Sequence, residues 1–179
     1  MKIIDLSQEI FSGMKTYPGD PAVKINQVHH LKKVGWRLRK LHFGSHTGTH
    51  VDAFSHIKES GETLDQISLK MFIGEARVVK KEEGFPSGVG LVFSSEKLDL
   101  SLFKKIIKAE APFVAVSTDC QFSMELEKKL LQNGVLTFTD LVNIDKLPVN
   151  KKFMFFGFPL KIKDGDGSPI RAVAIVDLF

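Results

Sequence analysis

Apolar residues switch between strand-like and helix-like spacing along the chain, which predicts a mixed α/β domain with more strand than helix. Ile3-Ile4-Asp5-Leu6-Ser7 reads as a short strand, and Ser12-Gly13 with Tyr17-Pro18-Gly19-Asp20-Pro21 is dense in turn-forming residues. Arg37 to Phe43 reads as extended, and Gly74 to Lys80 as a strand after a short helical turn near Leu64 to Met71. Leu102, Phe103, Ile106 and Ile107 fall on one helical face, with Asp99 and Ser101 as capping candidates. A second helix starts near Ser123, turns Leu126, Leu130 and Leu131 inward, and stops at Asn133-Gly134. Between the helices, Phe113 to Ser117 has the composition of a buried strand. Phe153 to Ile162 and Ile170 to Val176 read as two closing strands, joined by a turn over Lys163 to Pro169.

The chain has 179 residues, 43% of them apolar and 26% charged, as in an ordinary globular domain. We expect one domain over 1–179. A chain of this size buries roughly 70% of its unfolded surface, so it needs no structural metal or disulfide, and any metal would be functional. One cysteine, Cys120, excludes an internal disulfide framework and fits a reducing compartment. The longest apolar run, Phe153 to Leu160, is interrupted by Gly157 and Pro159 and is far short of the ~20 residues of a membrane span. Asp5 and Gln8-Glu9 break up the N-terminal segment, so a signal peptide is not expected and a cytoplasmic location is. The net charge of +4 is spread over short lysine pairs without interleaved aromatics; we expect neither a nucleic-acid nor a membrane partner.

The informative pattern concerns histidine, because all six lie between positions 29 and 56. His42, His46, His50, Asp52 and His56 share parity, so an extended chain would project them from one face. A helix would swing Asp52 and His56 well over ~60° away from His46 and His50. A straight strand from 46 to 56 would span about 33 Å, far too long for one ion bound at ~2 Å, so the segment must bend, and Gly48 is where it can. His50 and Asp52, at i and i+2, can chelate one ion from a strand, with His46 brought in by the bend. Imidazole with carboxylate suits zinc, manganese or iron(II), and three protein ligands leave positions open for water. Such an ion lowers the pKa of bound water toward about 7, making hydroxide available to attack a carbonyl.

Gly44-Ser45-His46-Thr47-Gly48-Thr49-His50-Val51-Asp52-Ala53-Phe54-Ser55-His56 resembles the His-x-Gly-Thr-His-x-Asp-x-Pro-x-His signature of the cyclase-like metal-dependent hydrolases, which include bacterial kynurenine formamidase and isatin hydrolase. Asp5-Leu6-Ser7 with Tyr17 to Pro21, and Pro159 to Ile162 with Gly167 to Ala172, are similar to the same family. The resemblance implies a mixed sheet of the swivelling β/β/α type, a homodimer or homotetramer, and hydrolysis of a small amide, formamide or cyclic amide. By position it makes His46, His50 and Asp52 metal ligands, with zinc or manganese as the expected ion. It makes His56 a proton-transfer residue or a further ligand, and Tyr17 a substrate contact. Ser168 is a candidate substrate contact or a plain turn residue.

Three positions depart from the family pattern. Phe54 replaces the signature proline; Glu127 stands where the family often has a ligating His, and Thr139 where it has a Glu, next to Asp140. Glu127 and Asp140 are therefore candidate additional ligands, although a one-residue register slip would ordinarily turn Asp140 to the other face. A catalytically degenerate metal- or ligand-binding protein on the same scaffold is the alternative reading. Cys120 lacks the surroundings of a cysteine nucleophile, the Asp164/Asp166 segment reads as a tight turn rather than a calcium loop, and Trp36 is expected in the core.

Overall fold

The computed structural model describes residues 1–177. In chain order the strands are β1 (Lys2–Asp5), β2 (Lys24–His29), β3 (Leu38–His42), β4 (His50–Asp52), β5 (Ile73–Val78), β6 (Gly90–Phe93), β7 (Lys97–Leu98), β8 (Phe113–Ser117), β9 (Gln121–Phe122), β10 (Leu136–Leu141), β11 (Lys152–Phe156), β12 (Gly167–Pro169) and β13 (Val173–Val176). The helices are α1 (Leu31–Val34), α2 (Phe103–Lys108) and α3 (Met124–Gln132). Nine strands form one large curled mixed sheet in the order β1-β13-β11-β5-β6-β8-β10-β4-β12. Its centre, β5-β6-β8-β10, is parallel, and the flanking pairs are antiparallel.

β8 shows why the centre is apolar on both faces. Phe113 and Ala115 enter one core, with Phe138, Phe155 and Val51, while Val114 and Val116 enter a second, with Ile106 of α2 and Leu126 and Leu130 of α3. Parallel strands covered on both sides read as continuous apolar runs for this reason. Ser123 caps α3 by accepting from Leu126 N at 3.2 Å, and Asp99 caps the turn before α2 by accepting from Ser101 N at 3.0 Å. Gly134, at φ +78°, ends the α3 segment in a left-handed conformation.

Two expectations need correction. The segment Lys163 to Pro169 is not all turn, because Gly167–Pro169 pairs with β4 as an edge strand. A proline is tolerated there because an edge strand has no neighbour requiring its missing N–H. Trp36 is not in the core: it is 58% exposed, and its indole Nε1 donates to His29 Nδ1 at 2.9 Å. It belongs to a two-stranded ribbon, β2 against β3, whose second strand is exposed throughout. Among the described residues no helix is long and apolar enough to cross a membrane.

Candidate metal centre

β4 lies between β10 and β12, with Asp52 opposite Thr137 and Gly167, and His50 opposite Thr139 and Pro169. Alternation sends Val51 into the core and turns His50 and Asp52 to the other face together. The bend expected at Gly48 is present, with φ +62°, a conformation glycine adopts without strain. Thr49 fixes it: its hydroxyl donates to Asp140 O at 2.7 Å and accepts from Gln8 N at 2.8 Å. The bend returns His46 to Asp52, with Nδ1 2.7 Å from Asp52 Oδ1. His50 Nε2 lies 3.5 Å from the same oxygen, while its Nδ1 donates to Gly48 O at 2.7 Å. That bond puts the proton on Nδ1 and leaves the Nε2 lone pair, met by the Thr139 hydroxyl at 2.9 Å, as the atom that can face an ion.

One nitrogen from each of His46 and His50 and one oxygen of Asp52 lie within 4.8 Å of one another. That spacing and this donor set fit a divalent cation bound at about 2.0–2.2 Å. His46, His56 and Asp166 form a second group on the same criterion, with His46 and His56 ring centres 4.1 Å apart. His42, by contrast, stays on the exposed ribbon, away from this cluster despite its shared parity.

Asp52 is only 2% exposed, so its charge must be met by neighbours. Burial alone would raise its pKa, but the His46 hydrogen bond, the His50 and His46 charges and the Thr137 hydroxyl, donating at 2.8 Å to Oδ2, hold it below the usual carboxylate range. Glu127, on α3, feels the same carboxylate: burial and the Asp52 charge push its pKa up to about 8. Asp140 is also raised by burial, with His50 opposing and Asp52 reinforcing the shift. It reaches this neighbourhood because β10 bulges between Phe138 and Leu141, with Asp140 at φ +59°. The bulge supplies the one-residue shift that a regular strand would not.

Ser168 is not brought to the centre. It pairs with Val51 and so turns away from His50 and Asp52; fully buried, it donates to Pro169 O at 2.8 Å and accepts from Leu160 N at 3.2 Å. Tyr17 is 64% exposed in the turn whose carbonyl accepts from Asp20 N. Two participants escaped the sequence reading. Thr137 has no signal that separates it from any strand threonine. Asp166, taken for a turn residue, places Oδ2 2.9 Å from His46 Nε2 and 3.6 Å from His56 Nδ1.

His46 thus sits between two carboxylates. Burial pulls its pKa down, yet the hydrogen bonds and charges of Asp52 and Asp166 prevail and raise it from 6.5 to about 9. A raised histidine pKa stabilises the folded chain fully below about 6.5, and the contribution fades as pH climbs through 9. Ion-free protein is therefore expected to lose thermal stability across that window. Zinc affinity should move the other way, rising about tenfold for each step of one in pH, because the ion displaces the His46 proton. Calorimetric zinc titrations between about pH 6.5 and 9 check this, and a flat profile would contradict it.

Residues 4–146 match the family model described as putative cyclase, and the chain belongs to that family. It is 32% identical over 193 residues to the uncharacterized protein MJ0783 of Methanocaldococcus jannaschii, covering 98% of this chain and all of that one. It is 28% identical to the kynurenine formamidase of Salinibacter ruber, covering 97% of each. Its fold is similar to that of isatin hydrolase A from Ralstonia solanacearum, with a TM-score of 0.81 and 19% identity, over 97% of this chain and 91% of that one. A second solved structure, a predicted metal-dependent hydrolase from Bacillus stearothermophilus, gives 0.79 and 19%, over 97% of each.

Proposed function

We propose that the chain is a metal-dependent hydrolase that cleaves a small amide, formamide or cyclic amide. The observation that carries this reading is the convergence of His46, His50 and Asp52, with donor atoms within 4.8 Å of one another, in a family whose members include a kynurenine formamidase. Zinc or manganese is the ion of this reading, since imidazole and carboxylate suit both. When bound, a divalent ion there would lower the pKa of coordinated water toward neutrality and polarise the carbonyl.

The chain's own residues then divide the work. His46, His50 and Asp52 hold the ion, and Thr137 keeps the Asp52 carboxylate oriented through Oδ2. His56 lines an open surface depression together with Ser55, Lys58, Lys128 and Gln132, on the side by which a small substrate would approach. It is the residue that delivers a proton to the leaving nitrogen. Glu127 and Asp140 are the candidate additional oxygen ligands, a role supported by the effect of the Asp52 charge on both, while the groups whose donor atoms already lie within 4.8 Å of one another are His46/His50/Asp52 and His46/His56/Asp166. Tyr17, exposed on the segment that Gln8 ties to Thr49, contacts the substrate.

In this reading residues 1–179 form one domain, and the protein is a cytoplasmic homodimer or homotetramer, consistent with its lone free thiol at Cys120. The β2–β3 ribbon supports assembly. An isolated two-stranded ribbon is marginal in water, and this one exposes Leu31, Trp36 and Leu41. It carries six Lys and Arg and no Asp or Glu, whereas the rest of the chain has a slight acidic excess, so a second copy offers a complementary surface.

Elemental analysis of purified protein should find about one ion or more per chain, with hydrolysis of at least one member of a formamide and lactam panel. Sedimentation of the same sample should give more than one chain per particle. One observation favours a second reading, loss of turnover with ligand binding retained: the Thr139 hydroxyl lies 2.9 Å from His50 Nε2 at a position where a ligating Glu was expected. Metal without turnover on the panel selects that reading. No metal after incubation with zinc and manganese overturns the assignment of His46, His50 and Asp52 as a metal site, and with it the hydrolase reading.

A further inference from the structure

Asp166 and Gly167 meet His46 from the side that its own sequence motif leaves open. His46 presents Nδ1 to Asp52 Oδ1 at 2.7 Å, the same oxygen that His50 Nε2 approaches at 3.5 Å, and Nε2 to Asp166 Oδ2 at 2.9 Å. A neutral imidazole has one proton and one lone pair. If Nδ1 faces the ion, the proton sits on Nε2, where Asp166 accepts it. His50 is arranged in the same way, its Nδ1 engaged by Gly48 O and its Nε2 lone pair facing the Thr139 hydroxyl at 2.9 Å and Asp52 Oδ1 at 3.5 Å.

The backbone holds this acceptor still. Ala53 N donates to Asp166 O at 2.9 Å, and Gly167 pairs with Asp52, so the Asp166 carboxylate is carried by a strand locked to the one that bears the ligands. Gly167 adds a steric condition. A Cβ there would stand 2.3 Å from His46 Cε1 and 2.8 Å from Nδ1, so the ring occupies space that any side chain at 167 would fill.

We propose that Asp166 is a positioning residue for the metal centre, which accepts the Nε2 proton of His46 and thereby makes Nδ1 the nitrogen that binds the ion, with Gly167 keeping the ring's place clear. The inference rests on the metal-centre reading above. It assigns a role to a carboxylate more than 100 residues away from the ligand motif. Partners of this kind fix the ligand's tautomer and orientation, and their removal typically weakens metal binding 10- to 100-fold.

The test uses zinc alone, titrated into ion-free protein against a chromophoric chelator, for wild type, Asp166→Asn and Asp166→Ala. Asp166→Ala should bind zinc roughly 10- to 100-fold more weakly at unchanged stoichiometry, and Asp166→Asn, which keeps an acceptor oxygen without the charge, should lie between. Nitrogen-15 spectra of zinc-loaded protein with labelled histidine should show His46 protonated at Nε2 and bound through Nδ1. In Asp166→Ala that Nε2–H should exchange rapidly with water, a change that a residue of purely structural importance would not produce. Should the alanine variant fail to fold, the asparagine variant, of nearly the same shape, supplies both readouts. Equal zinc affinities, the loss of one ion per chain in either variant, or His46 bound through Nε2 would each overturn the proposal while leaving the metal centre standing. A wild-type chain that takes up no zinc overturns both together.

Discussion

Asp52→Asn should leave the fold intact and cost the protein its ion and its hydrolytic activity. The substitution keeps the size of the side chain and an oxygen for the Thr137 hydroxyl, but removes the negative charge on which the cluster converges. Asp52 Oδ1 is the atom that His46 and His50 both face, at 2.7 and 3.5 Å. Without its charge the site loses the one ligand that both imidazoles face, and the two nitrogens with the Glu127 and Asp140 oxygens are a weaker donor set for zinc or manganese. We expect metal content to fall below a tenth of an ion per chain, on the order of a 100-fold or greater loss of affinity. Hydrolysis should fall at least ~10³-fold, equivalent to about 4 kcal/mol of transition-state stabilisation. Glu127 provides an internal control: the Asp52 charge helps raise its pKa to about 8, so in the variant it should titrate lower. Elemental analysis and initial rates on the best substrate of the panel read the first two effects. An Asp52→Asn protein that keeps both its ion and more than about a tenth of its rate would place the chemistry elsewhere.

The ligand motif could be read in the sequence because its constraints are local. Parity over 46 to 56 put His50 and Asp52 on one face, and the length of a straight strand required a bend that Gly48, with φ +62°, provides. What could not be read depends on register between distant segments. Asp166 reaches His46 only because Gly167–Pro169 pairs with β4, and seven residues rich in Gly, Asp and Pro read as a turn. Asp140 approaches Asp52 only through the bulge after Phe138, which no periodicity reports. Ser168 fails for the complementary reason: pairing with Val51 turns it away from the ligands, although its neighbour Gly167 touches them. Trp36 was misplaced because its partner is the ribbon and not the body of the fold. Size and apolarity alone say that such a residue will be covered, not by what.

Phe138→Ala should be among the most destabilising single substitutions in the chain, and it should loosen the metal centre from behind. Phe138 is fully buried on β10, with ring centres of Phe113 and Phe155 at 5.3 and 4.9 Å. The packing is tight: a Cβ on Gly157 would come within 2.6 Å of the Phe138 ring, so the backbone of β11's end lies directly against it. Truncating a buried phenylalanine in such surroundings costs about 3–5 kcal/mol, out of a total stability of roughly 5–15 kcal/mol. For a chain of this length that corresponds to a fall in Tm of about 6–20 °C. Phe158→Ala, at a 42% exposed site, should shift stability by no more than about 0.5 kcal/mol. The consequence for function follows from alternation along one strand. Thr137 and Thr139 face Asp52 and His50 from the two positions flanking Phe138, so the cavity left by its ring frees the backbone that aims both hydroxyls. Zinc affinity of the folded fraction, measured well below its Tm, should therefore drop in Phe138→Ala and hold in Phe158→Ala. Equal Tm values for the two variants would mean that the aromatic cluster behind β10 does not anchor the strand that carries the site.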